Sequence, residues 1–138
     1  MSMLLKSNSG ITNTIPTREF LTEIKQLLTE EGVVAGNTFF FSGLYDSESV
    51  TYEAVYGQFY NLKKMLQNTR VILAKHDGIP PWERVTKNAA VLKDRLRPFG
   101  VEPGWLLPLF SADQDWNPEA RVLTDQYSPF TFSKSSFN

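Results

Sequence analysis

The stretch DSESVTYEAVYGQFYNLKKMLQNTRVILAK, residues 46–75, decides how the rest of the chain is read. Tyr52, Val55, Phe59, Leu62, Leu66 and Leu73 recur at the i, i+3, i+4, i+7 spacing of an amphipathic helix. The residues at 46–49 offer N-caps. Gly57 within the run costs roughly 1 kcal/mol relative to Ala, or lets a neighbouring helix approach closely. Read this way, 46–75 is one long helix. His76, Asp77, Gly78, Ile79, Pro80 and Pro81 then end it, because Gly and two prolines cannot continue the hydrogen-bond ladder.

Downstream, a third helix is predicted from about Pro81, since proline is tolerated in a first turn. Trp82, Val85, Ala89, Leu92 and Leu96 would be its buried side, with Glu83 and Lys87 an i,i+4 pair on the exposed side. Arg95 and Arg97 suit the negative end of the helix dipole. Pro98 and Gly100 stop the helix, and Glu102-Pro103-Gly104-Trp105 has the pattern of a type II turn.

Upstream, Phe20, Leu21, Ile24, Leu27 and Leu28 predict a first helix over 17–31, capped by Thr17 and ended by Gly32, with Val33 folding back on Leu28. The phenylalanines at 39, 40 and 41 read as a connector that drops aromatics into the core, or as a short β segment at 37–43. The predicted fold is therefore mainly α: a three-helix core in a domain over 17–110. An N-terminal arm (1–16) and an extended aromatic C-terminal tail (111–138) flank it. One or two helical turns are expected at 117–124.

Composition sets the outer bounds. The 138 residues suit one domain, and 41% hydrophobic residues with 10 Phe, 5 Tyr and 3 Trp supply a core. There is no Cys, which excludes disulfides, thiolate metal sites and cysteine nucleophiles. No apolar run reaches the roughly 18–20 residues of a membrane span, and Met3-Leu4-Leu5 is too short for a signal sequence. A cytoplasmic protein with no membrane association is expected. A single histidine, His76, excludes multi-histidine metal sites; beside Asp77 it reads as general-acid machinery or as a solvated helix end. No phosphate-cradling loop occurs, and Asp113 and Asp115 lack the Gly and distal Glu of a calcium loop. No catalytic residue, cofactor or metal is expected.

The formal net charge is −1, but it is unevenly placed. Residues 61–97 hold 9 basic and 3 acidic side chains, against 3 and 7 in 1–60 and 2 and 5 in 98–138. The basic block is Lys63, Lys64, Arg70, Lys75, Arg84, Lys87, Lys93, Arg95 and Arg97. On two adjacent helices it would form a ridge able to contact nucleic-acid phosphates, or it is a solvated face. Trp116, Tyr127, Phe130, Phe132 and Phe137 lack periodicity and suit a docking peptide, or a tail that wraps over its own domain.

The order helix, turn, long helix, proline break and KNAAVLKDRLRPFGVEP resembles the phage terminase small subunits, in which a helical hairpin precedes a helix ending in a Phe-Gly-Leu-Thr-Pro type signal. Lys87, Ala89, Leu92, Leu96, Phe99, Gly100 and Pro103 carry the resemblance, which covers about residues 17–104. It implies a non-enzymatic, oligomeric DNA-packaging adaptor in a host cytoplasm or a virion. Such an adaptor binds double-stranded DNA and recruits a large ATPase/nuclease subunit. Gly104-Trp105-Leu106-Leu107 and the aromatic insert depart from the pattern. The alternative is a structural protein of a viral particle or large assembly, whose arms contact neighbouring subunits.

Overall fold

The computed structural model describes residues 6–7, 10–11, 16–39 and 43–127. Two short strands, β1 (Lys6–Ser7) and β2 (Gly10–Ile11), pair antiparallel. The body follows in the order α1 (Arg18–Leu27), β3 (Val33–Phe39), α2 (Tyr45–Tyr56), β4 (Tyr60–Lys64), β5 (Thr69–Lys75), α3 (Trp82–Leu96), α4 (Pro103–Leu106) and β6 (Phe110–Ser111). Strands β3 to β6 form one antiparallel sheet in the order β3-β5-β4-β6.

The fold is thus mixed α/β, which corrects the expectation of a three-helix, mainly α chain. The error lies in 46–75. The helix there ends at Tyr56, where Gly57 takes φ 74°, a left-handed value that halts the helix and favours glycine. Residues 60–75 are a β-hairpin, turned through a short 3₁₀ segment and Asn68, which also has positive φ (49°). Its registers, Tyr60↔Leu73, Asn61↔Ile72 and Leu62↔Val71, put Leu62 and Leu73 of the supposed helical stripe on one face of the sheet, while Leu66 sits exposed in the turn. The continuous run Val71-Ile72-Leu73 is apolar because both faces of β5 are partly covered. A run of this kind carries no period that separates strand from helix. The β segment expected at 37–43 runs instead from Val33 to Phe39; positions 40–42 lie outside the described residues.

Helices α1 and α2 pack on one face of the sheet. Leu21, Val34, Val50, Tyr52, Tyr56, Phe59, Ile72, Ala74 and Trp116 form the core between them. Helix α1 forms as its stripe predicts, but ends at Leu27 with Leu28 extended. Thr17 is its cap: Oγ1 accepts from the Phe20 N–H at 3.2 Å and donates to Asp125 at 2.7 Å. Thr17→Ala loses both, and an expected cost of about 1–2 kcal/mol is measurable by urea unfolding.

The opposite face is covered more thinly. Tyr60, Trp82 and Phe110 form an aromatic cluster there, with ring centroids 5.4–5.9 Å apart. Helix α3 starts and stops where predicted, yet none of its residues is fully buried; Trp82 and Leu92 are exposed. The expected turn at 102–105 is the start of α4, with Pro103 in the first turn and Glu102 capping Gly104 N–H.

No helix forms at 117–124. This segment is a strap across α2 and the start of α1: Leu123 N–H donates to Thr51 Oγ1 at 2.9 Å, and Arg18 N–H donates to Leu123 O at 2.8 Å. Among the described residues no helix is long and apolar enough to cross a membrane.

Candidate functional site

The register Thr38↔Arg70↔Lys63 places three polar side chains in a row on the helix-covered face of the sheet, beneath the first turn of α2. Arg70 is fully buried. Its Nε donates to Thr38 Oγ1 at 2.9 Å, one terminal nitrogen to Ser49 Oγ at 2.6 Å, and the other to Glu48 Oε2 at 3.4 Å. The guanidinium lies 4.1 Å from the centroid of the Tyr45 ring. Glu48 and Ser49 are buried because α2 lays its first turn on the sheet, with Ser49 Oγ also bonded to Tyr45 O.

Burial pushes the Glu48 carboxyl up to about 6, against the pull of Arg70, and burial likewise lowers the Arg70 guanidinium. Both partners therefore shift toward their neutral forms. Desolvation opposes the attraction between them, and the hydrogen bonds from the guanidinium to Thr38 and Ser49 fix how the pair is oriented.

From this buried group the network runs outward. Tyr45 Oη donates to Asp115 Oδ1 at 2.6 Å, and Lys63 forms an ion pair with the other oxygen of the same carboxylate. The Lys63 ammonium also lies 5.3 Å from the Tyr45 ring centroid. Desolvation, with Arg70 nearby, lowers the Lys63 ammonium. More carboxylates line this rim. Asp46 accepts from Asn117 N–H at 3.3 Å, and both oxygens of Glu53 accept from Gln114 Nε2 at 3.1 Å. Residues 113–117 thus hold a rim of carboxylates beside an aromatic face and a primary ammonium. Among the described residues no group of three or more His, Cys, Asp or Glu side chains could hold a metal ion.

The basic block splits across the fold. Arg70 is buried on Glu48, Lys63 pairs with Asp115, Lys75 lies 3.5 Å from Glu31, and Arg97 lies 3.6 Å from Asp94. Lys64 is exposed at the end of β4, whereas Arg84, Lys87, Lys93 and Arg95 are exposed on α3. Trp116 is buried and stacks on Phe59, with centroids 5.1 Å apart and planes at 7°. Tyr127 lies under the Arg121 guanidinium, 3.6 Å away. Phe130, Phe132 and Phe137 lie outside the described residues. His76 Nδ1 is 2.9 Å from Asp77 on the surface. The sequence reading missed Tyr45, Glu48, Ser49 and Asp115. An acid and a serine in a first helical turn look like caps, and nothing local says that an arginine 22 residues on comes to meet them.

The chain is similar to a polyamine aminopropyltransferase. That protein, from Vibrio vulnificus (strain CMCP6), is 44% identical over 119 residues. The match takes in 86% of this chain and 40% of the Vibrio protein, so the chain spans well under half the length of that relative. No family model and no solved structure matches.

This similarity overturns the terminase resemblance, and with it the DNA-packaging function, the double-stranded DNA and large-subunit partners and the helix-packed oligomer. The viral structural-protein alternative goes with them. It also overturns the expectation of a non-enzymatic protein, since the relative is a transferase. The physical reason is plain in the fold. The residues that carried the resemblance, at 87–103, are those that any capped and terminated amphipathic helix needs. The helical hairpin that should precede them is half β-hairpin.

Proposed function

We propose that this chain works in polyamine aminopropyl transfer, as a region of such an enzyme that faces the amine. The similarity over 119 residues carries this reading. In the reaction the lone pair of an amine nitrogen forms a C–N bond to the terminal methylene of an aminopropyl donor. The bond from that carbon to the donor's leaving group breaks with its electron pair, and the new ammonium sheds one proton.

A polyamine is a chain of alkylammonium groups, and it is held by carboxylates and aromatic faces. The Lys63 side chain supports the reading because it is itself an alkylammonium, seated on Asp115 and beside the Tyr45 ring. Asp46 and Glu53 extend the acidic rim along α2 from that point. An incoming amine would meet the same chemistry as the Lys63 ammonium does.

The test is calorimetric titration of the full chain with spermidine at low salt. The expected result is saturable binding that Asp115→Asn weakens at least fivefold. Val91→Ala, on the exposed side of α3, should leave it unchanged. Absence of saturable binding, or equal loss with both variants, overturns the assignment.

A further inference from the structure

The carboxylates of the acidic rim are used differently. Among the described residues, Asp46 and Glu53 accept hydrogen bonds from uncharged donors, the Asn117 N–H and the Gln114 amide. Asp115 instead holds a cation, the Lys63 ammonium. That ammonium also lies within cation–π range of the Tyr45 ring, 5.3 Å from its centroid. A carboxylate beside an aromatic face is a seat for an alkylammonium. Here the chain's own alkylammonium sits in it.

The sheet brings Lys63 to this place, but only its side chain reaches the seat. Lys63 stands across from Arg70 in register, one residue before the end of β4. Arg70 is engaged by Glu48, Ser49 and Thr38, so the Lys63 ammonium takes the outer carboxylate. Burial, and then the charge of Arg70, lower the Lys63 ammonium, so its surroundings oppose the seated, charged state. Its side chain is 22% exposed and that of Asp115 40%, so water reaches the contact. Rotation about the side-chain bonds of the lysine lifts the ammonium away without moving β4. The seat does not depend on Lys63 for its shape. Tyr45 Oη donates to the other oxygen of Asp115, and Gln114 and Asn117 are tied to Glu53 and Asp46 of α2.

We infer that Lys63 is a tethered occupant of the amine seat: it covers Asp115 in the resting chain, and a free amine binds by displacing it. The inference rests on the aminopropyl-transfer reading, because it names what regulates that same site. A group on a short tether competes at an effective concentration in the millimolar range. An amine with one ammonium offers Asp115 only what Lys63 already supplies. A polyamine brings further ammonium groups for the carboxylates of Asp46 and Glu53. Lys63 therefore sets the site against monoamines and leaves it to multiply charged amines. The apparent affinity for any amine is its intrinsic affinity multiplied by the fraction of chains in which Lys63 has lifted off.

The experiment is calorimetric titration of the full chain with n-butylamine and with spermidine at low salt, in wild type, Lys63→Met and Lys64→Met. Lys63→Met is expected to bind both amines at least about fivefold more tightly than wild type. The gain for the monoamine is expected to be at least as large as that for spermidine, since the same occupant has been removed for both. Lys64→Met removes an exposed neighbouring cation and should change either affinity less than about twofold. Circular dichroism confirms folding, and Lys63→Gln replaces Lys63→Met if the latter is unfolded. A gain that grows with the charge of the ligand and recurs in Lys64→Met is general electrostatics, and it overturns the inference. Saturable spermidine binding by wild type that Asp115→Asn weakens and Lys63→Met leaves unchanged also overturns it, while the amine-site reading stands. Absence of binding by both wild type and Lys63→Met sinks the two together.

Discussion

Arg70→Met is expected to lower the stability of the chain by about 3–5 kcal/mol at pH 8, read as a fall in the urea midpoint at unchanged slope. The cost is not chiefly the lost attraction, which the desolvation of both partners already opposes. It comes from what is left behind. Glu48 is buried, and without the guanidinium its charge has no counterion in the interior. Ser49 and Thr38 lose their donors at the same time. The double variant Arg70→Met/Glu48→Met should recover most of the loss, since replacing both partners removes the desolvation penalty together with the attraction.

The pH dependence has a definite sign. In the native chain Glu48 titrates at about 6, above the ordinary 4.5. A raised folded value means that the folded state holds the proton more tightly than the unfolded one. Its contribution to stability is therefore fully present below about 4.5 and is lost as pH rises through about 6. In Arg70→Met the lowering influence of the guanidinium is gone, so the carboxyl titrates higher still. The penalty of this variant should accordingly shrink between pH 8 and pH 5, as Glu48 is buried neutral. A penalty independent of pH would mean that lost packing around Tyr45, not an orphaned carboxylate, dominates.

Gly36→Ala is the second large effect. A Cβ at this position would stand 2.2 Å from Tyr52 Oη and 3.0 Å from Tyr52 Cζ. Tyr52 cannot swing aside: it is fully buried, with its ring 6.3 Å from Tyr56 and 6.1 Å from Phe59. The expected cost is about 2–3 kcal/mol, from the overpacking of a closed core. Among the described residues the buried Tyr52 Oη has no hydrogen-bond partner, so Tyr52→Phe alone should be neutral or slightly stabilising. Combined with Gly36→Ala it removes the nearest clashing atom. The double-mutant cycle should show a favourable coupling of about 1–2 kcal/mol. Additive losses would mean that β3 yields at Gly36 rather than the tyrosine.

Local chemistry was legible wherever an element satisfies itself. Helix α1 follows from the spacing of Phe20, Leu21, Ile24 and Leu27 and from the Thr17 cap, and α3 from its stripe with Pro98 and Gly100 beyond it. A helix makes its hydrogen bonds within four residues, so its start, face and stop are written in one window. The absence of cysteine and of a phosphate-cradling loop was equally readable, being a matter of inventory.

Tertiary structure alone decided the rest. Whether 60–75 is helix or hairpin depends on β3, which offers β5 seven paired positions from 30 to 42 residues upstream. A strand's hydrogen bonds are made with a distant partner, and Tyr52, Val55, Phe59 and Leu62 keep a helical period even where the backbone does not. Arg70 looked like one cation in a basic block until strand pairing carried it beneath α2 and closed Glu48, Ser49 and Tyr45 around it. Charge can be counted along a chain, but which charges face water is settled only when the elements pack.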